Sequence, residues 1–194
     1  MKEYYDTRAP EYDDWWLGRG RFAQRTRPGW EDELAEVAAL LSRLDAVRTL
    51  DVACGTGFIT QHLPGQVVGL DQSARMLAEA ARRLPALTFV QGDALELPFP
   101  DASFDRLFTS YFYCHLEEAE RVRFLAEVHR VAGELVVMGS HAEHGEPRSY
   151  WDERTLNDGS CWQVYKRVFD PEALAAELNG DVLHAGQWFV LVRS

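Results

Sequence analysis

Cysteine is scarce in this 194-residue chain: Cys54, Cys114 and Cys161 lie far apart, and no two form a CxxC pair. That spacing excludes a disulfide framework and a thiolate zinc site, and predicts reduced thiols in a cytoplasmic protein. The first residues, Met-Lys-Glu-Tyr-Tyr-Asp, lack the apolar stretch of a secretory leader. No apolar run approaches the ~18 residues of a membrane span. Positive charge is also short, with 20 Lys and Arg against 31 Asp and Glu and a formal net charge of −11. A duplex phosphate backbone would be repelled overall, which argues against nucleic acid as a partner. Arg19, Arg21, Arg25 and Arg27 form a local exception, open to reading as a nucleic-acid contact or as a solvated arm. Repeats and low-complexity tracts are missing. What remains is one α/β domain over residues 1–194, monomer or homodimer, with a small molecule as its partner.

Aromatic residues are plentiful at 12%, which suits an enclosed pocket. The chain is organised around Leu50-Asp51-Val52-Ala53-Cys54-Gly55-Thr56-Gly57. A buried strand ending in a glycine turn gathers backbone N–H groups at its carboxyl end, where open α/β sheets hold cofactors. Gly55 and Gly57 lack Cβ, so a ligand can approach the backbone and positive φ is cheap. A dinucleotide loop needs a third glycine, but Thr60 stands there.

Further elements follow in order. Leu34, Val37, Ala38, Leu41 and Leu44 predict an amphipathic helix over Glu31–Leu44. A short helix is expected after Gly57. The strand Val67–Leu70 ends at Asp71, where a carboxylate can accept both ribose hydroxyls of a nucleoside. Ser73 is read as the cap of a helix Ala74–Leu84. Strands Leu87–Val90 and Phe104–Ser110, a helix Glu117–Val131 with Val122, Leu125, Val128 and Val131 inward, and a strand Glu134–Met138 come next. Residues 141–169 are polar. His141 and His144 lack a third ligand, so no metal is expected. Asn157-Asp158-Gly159 predicts a hairpin with a three-residue loop and Gly159 left-handed. That register places Arg154, Trp162, Val164 and Lys166 on one face. Asp170-Pro171 opens a helix to Leu178, and Asp181–Ala185 and Gln187–Val192 turn at Gly186.

The string Asp51-x-Ala53-x-Gly55-x-Gly57 resembles the nucleotide loop of class I S-adenosylmethionine (SAM) methyltransferases. Asp93-Ala94-Leu95-Glu96-Leu97-Pro98-Phe99 through Asp105 resembles the loop that follows the third strand in the same family. The resemblance covers about the whole chain and is most specific over residues 50–105. It implies a Rossmann-like seven-stranded, mostly parallel sheet with an antiparallel C-terminal strand and helices on both faces. It implies SAM as cofactor, with S-adenosylhomocysteine (SAH) as product. Residues 1–30 would form a helical lid, 31–140 and 170–194 the core, and 141–169 a hairpin insertion over the active site. Tyr5 to Asp13 resembles the tyrosine-rich lid of small-molecule members, with Tyr5 and Tyr12 on the cofactor and little core of their own in residues 1–20. Gln72 and Met76 would flank the adenosine. Asp93 and Ala94 would take the adenine. Ser110 and Tyr111 would close strand four beside the transferred methyl.

Arg154 to Gly159, with Lys166, resembles small-acid O-methyltransferases such as the phosphonate methyltransferase of dehydrophos biosynthesis. That implies a small anionic acceptor held by Trp16, His115, Arg154 and Lys166, with O-methylation favoured. His115 is the candidate base or a pocket residue, since an ordinary imidazole titrates near neutral pH. The alternatives from other classes are an NAD-binding Rossmann oxidoreductase and a non-catalytic SAM-binding or protein-binding domain.

Overall fold

The computed structural model describes residues 1–142 and 149–194, so His144 of the histidine pair lies outside the described residues. Helices α1 (Lys2–Arg8) and α2 (Asp14–Leu17) precede α3 (Trp30–Ser42). Strand β1 (Arg48–Val52) enters the glycine loop, followed by β2 (Gln66–Asp71), α4 (Ala74–Arg83), β3 (Thr88–Gln91) and β4 (Phe104–Ser110). Helix α5 (Glu118–Val131) runs without a break into β5 (Ala132–Ser140). The hairpin β6 (Ser149–Thr155) and β7 (Cys161–Arg167) leads to α6 (Pro171–Leu178), β8 (Asp181–Ala185) and β9 (Phe189–Arg193).

Seven strands form one sheet in the order β3-β2-β1-β4-β5-β9-β8. The first five run parallel, and β9 is antiparallel to both its neighbours. The order reverses between β1 and β4, and that crevice at the strands' carboxyl ends is the ligand position of open α/β sheets. Leu50, Val52, Leu107, Val136 and Val137 are fully buried, as a sheet covered on both faces requires. Each such side chain contributes about 1.5–3 kcal/mol by leaving water.

The expected caps are present. The Ser73 hydroxyl accepts from the Met76 N–H at 3.1 Å, and the Asp170 carboxylate accepts from the Ala173 N–H at 2.9 Å. Two expectations fail. The segment after Gly57 is only a single 3-10 turn, Thr60–His62, because Pro64 and Gly65 stop it. Val122 is 66% exposed, whereas Phe124, Val128 and Val131 fill the inward face. Val122 lies two residues, some 200° of helix, from Phe124.

The N-terminal segment has core of its own, contrary to expectation. Tyr4 is buried with Leu156 and Val164 of the hairpin. Trp16 is buried with Trp30 and stacks on Phe58 at 5.1 Å between ring centroids. Among the described residues, no helix is long and apolar enough to cross a membrane.

Candidate active site

The glycine loop takes its shape from alternating left-handed residues: Ala53 (φ 58°), Gly55 (φ 55°) and Gly57 (φ 74°). Ala53 is in a conformation that non-glycine residues seldom adopt. The two glycines do different work. Gly55 faces a cavity of about 270 Å³ at the carboxyl ends of β1, β2, β3 and β4. Gly57 faces α4, where a Cβ would lie 3.2 Å from Leu84 and 3.5 Å from Ala80. It sets the loop against the helix and does not line the cavity.

Asp71 anchors the loop from below. One carboxylate oxygen accepts the Gly55 N–H at 2.9 Å and the other the Ser73 N–H at 2.8 Å. Burial raises its pKa to about 6, against the pull of those N–H groups. A carboxylate has about four lone-pair sites, so each oxygen can still accept a hydroxyl from the cavity. Asp51 lies deeper. It accepts from the Thr60 hydroxyl at 2.6 Å, burial lifts its pKa to about 7, and it does not line the cavity.

The remaining residues assigned to the cofactor gather around the same space. Gln72 and Met76 line it beside Asp71, and Met76 is also fully buried core. Asp93 and Ala94 line it past β3, with the Asp93 carboxylate taking the Leu95 N–H at 2.8 Å. Ser110 and Tyr111 close it at the end of β4, where Tyr111 has a left-handed backbone (φ 55°). Tyr5 and Tyr12 cover it from the N-terminal segment.

A second cavity, about 320 Å³, lies between the N-terminal segment and the hairpin. The hairpin register is the expected one: Arg154 pairs with Trp162, Tyr150 with Lys166, and Gly159 is left-handed at φ 86°. Arg154 and Lys166 therefore share a face and both line this cavity. Arg154 donates to Asp152 at 3.0 Å and to the Tyr4 hydroxyl at 3.2 Å. Among the described residues Lys166 makes no ion pair, and burial lowers its pKa. The two cavities share Tyr5, Tyr12, Tyr111 and His115 as a common wall.

His115 Nδ1 lies 2.6 Å from the Tyr165 carbonyl oxygen. A carbonyl only accepts, so Nδ1 carries the proton and Nε2 is the acceptor nitrogen. Burial, reinforced by Arg154, lowers the imidazole pKa to about 3. The ring is neutral throughout the working range, and the expectation of a histidine titrating near neutrality is corrected. Trp16 is corrected as well. It is absent from both cavities, and its neighbour Trp15 lines the second. On a short helix adjacent side chains diverge by about 100°, so only one of the pair can face the cavity.

Sequence reasoning missed Arg8 and Glu11, which line the second cavity, and Phe112 and Leu116, which line the first. Arg8 donates to the Tyr4 hydroxyl at 2.7 Å and lies over the Tyr12 ring at 4.8 Å. Glu11 accepts the Asn157 N–H at 2.8 Å. On its other side the N-terminal segment is tied to the cofactor side. The Ser73 hydroxyl donates to Asp6 at 2.6 Å, the Thr56 hydroxyl donates to Asp13 at 2.6 Å, and Arg83 pairs with Asp13.

Comparison with known proteins places this geometry. Residues 50–134 match a family described as "Methyltransferase domain". A demethylmenaquinone methyltransferase of Renibacterium salmoninarum is 40% identical over 113 residues, 55% of this chain and 47% of that protein. The phthiotriol/phenolphthiotriol dimycocerosates methyltransferase of Mycobacterium tuberculosis is 42% identical over 151 residues, 72% of this chain and 50% of that protein. The chain spans about half the length of these curated relatives. Among solved structures, the DhpI-SAM-HEP complex superposes with TM-score 0.79 at 27% identity, covering 98% of this chain and 94% of that one. The fold is that of solved SAM-dependent methyltransferases, and residues 50–134 match a methyltransferase domain.

Proposed function

We propose that this protein is a SAM-dependent O-methyltransferase acting on a small anionic metabolite. One observation carries the proposal: a nucleotide-type cavity and a cationic cavity meet at a single wall of Tyr5, Tyr12, Tyr111 and His115. When bound, SAM supplies a methyl group activated on a sulfonium sulfur. Asp71 would hold the ribose hydroxyls, Gly55 and Ala53 would admit the ligand to the backbone, and Asp93 and Ala94 would take the adenine. The aromatic faces of Tyr5, Tyr12 and Tyr111 suit a neighbouring cation. Residues 1–30 would act as a lid, since their ties reach both the glycine loop and the hairpin.

On the acceptor side, Lys166 and Arg154 would hold an anionic oxygen and align it with the methyl. A charge-assisted contact of this kind is worth about 1.5–3 kcal/mol, and alignment itself contributes up to ~7–11 kcal/mol in the best cases. A carboxylate or phosphonate oxygen is already ionised, so no base is needed. A neutral His115 fits that requirement, because its acceptor nitrogen can orient a donor on the acceptor molecule without taking a proton. DhpI is a dehydrophos methyltransferase, which supports an acidic acceptor here by analogy.

The test combines a thermal-shift panel of SAM, SAH and NAD with transfer of labelled methyl from SAM to small carboxylates, phosphonates and amines. Stabilisation by SAH and labelling of acids are expected. Stabilisation by NAD alone would sink the cofactor assignment. Labelling of amines in preference to acids would overturn the acceptor assignment, and SAH binding without any transfer would leave a SAM-binding domain.

A further inference from the structure

The basic run that the sequence left between two readings has a position in the structure. Arg21 and Arg25, on the segment between α2 and α3, line the second cavity, while Arg27 turns away to donate to the Trp15 carbonyl at 2.8 Å. Arg21 has no hydrogen bond or ion pair among the described residues, and Arg25 has only the Phe22 ring beneath it at 5.0 Å. Lys166 lines the same cavity, is likewise without an ion pair among the described residues, and has Arg25 near enough to lower its pKa further. The cavity holds five cationic side chains against three carboxylates, in a chain whose net charge is −11. Each carboxylate has a partner: Asp152 holds Arg154 of the same cavity, Glu11 the Asn157 N–H, and Glu153 Gln163. Cations concentrated against the charge of the whole chain, three of which (Arg21, Arg25 and Lys166) have no ion pair among the described residues, mark a place for bound anions.

We infer that the acceptor carries two anionic groups, one held by Lys166 and Arg154 of the hairpin and the other by Arg21 and Arg25 of the N-terminal segment. This rests on the acceptor reading above. The group at the hairpin wall is beside the shared aromatic wall and is the one methylated. The group at Arg21 and Arg25 anchors the far end and selects diacids over monoacids of equal length.

Binding separates this inference from methyl transfer. Calorimetry on the SAH-loaded protein would compare succinate, glutarate and 3-phosphonopropionate with butyrate, valerate and propylphosphonate. At least one diacid should bind tenfold or more tighter than its monoacid partner. In the double variant Arg21→Gln/Arg25→Gln that advantage should shrink to about twofold, with monoacid affinity little changed. If no diacid outbinds its monoacid, or if the double variant weakens both series equally, the two arginines only steer anions inward and the inference is overturned. Failure of the methyl-transfer panel, by contrast, strikes the proposed function and leaves this binding comparison to be read by itself.

Discussion

The two cavities that meet at Tyr5, Tyr12, Tyr111 and His115 are built in different ways. The cofactor side is largely made of backbone: left-handed Ala53 and Gly55, an Asp71 that grips two N–H groups, and strand ends in fixed register. The acceptor side is made of long side chains from two remote segments, residues 4–25 and 152–166. Backbone geometry needs particular residue types at particular spacings, whereas side chains that merely converge leave no local pattern. Damage to the first cavity should therefore propagate into the fold, and damage to the second should stay local.

The largest expected effect follows from Asp71. Asp71→Ala removes the cavity's acceptor and orphans the Gly55 and Ser73 N–H groups, at roughly 1–3 kcal/mol each. With about 2–4 °C lost per kcal/mol for a chain of this size, the unliganded Tm should fall by roughly 4–24 °C. SAH affinity by calorimetry should fall about a hundredfold, since a charge-assisted contact and the loop's support are lost together. An unchanged Tm would mean that Asp71 does not hold the loop.

The acceptor side should respond differently. Lys166→Ala should raise the acceptor KM roughly tenfold with no loss of Tm, because the ammonium has no ion pair among the described residues and its burial is unfavourable. Arg154→Ala should raise KM similarly but also lower Tm, because the guanidinium links Asp152 to Tyr4. SAH affinity should hold within about twofold in the lysine variant. Initial-rate kinetics beside thermal melts separate the two, and equal Tm losses would break the contrast between a structural arginine and a free lysine.

This difference also explains what could be read from the sequence. The loop's shape was legible at Ala53, Gly55 and Gly57, because each takes a left-handed backbone, whereas Asp51 and Gly57, read as cofactor contacts, do not line the cavity. The hairpin register was legible too, since a left-handed Gly159 and a three-residue loop fix which residues share a face. Trp16 was misread because adjacent tryptophans on one turn give no clue to which faces inward. Val122 was misread because a valine at helical spacing looks the same on either side until Phe124 takes the core. Arg8 and Glu11 went unnoticed because their partners, Tyr4, Tyr12 and Asn157, include a residue 146 positions away. The His115 pKa depends on burial and on Arg154, neither of which is local.

A smaller effect is expected where the two sides are joined. Asp13 takes the Thr56 hydroxyl and pairs with Arg83, fastening the N-terminal segment to the glycine loop. Both partners of the pair are about a quarter exposed, so it is worth well under the buried-pair values, ~0.2–1 kcal/mol. The hydroxyl bond adds about 1 kcal/mol. The two together set a ceiling of about thirtyfold, and with part of that energy reaching the ligand Asp13→Ala should weaken SAH binding about three- to tenfold. It should also speed amide exchange over residues 2–17 in the SAH complex. Exchange unchanged from the parent would show that Tyr4, Trp16 and Glu11 hold the segment without this tie.

The smallest effect is a pH dependence whose sign differs between binding and folding. Burial holds the Asp71 carboxyl at about 6 and Asp51 at about 7, both above the ordinary 3.8. Between pH 4 and pH 7 the folded chain binds protons that the unfolded chain has released, so these two groups make the unliganded protein more stable as pH falls through that window. That contribution is lost as pH rises past about 7. Binding runs the other way, because a ribose hydroxyl donates to Asp71 only while it is ionised. SAH affinity should be about halved at pH 6 relative to pH 8, and fall towards tenfold per unit below about pH 5. His115, held at about 3, should add no inflection between pH 5 and pH 8. Calorimetric titrations with SAH from pH 8 to pH 5, with melts of the unliganded protein alongside, read both trends. An inflection near 6.5 that disappears in His115→Asn would show a titrating imidazole and return His115 to the role of base.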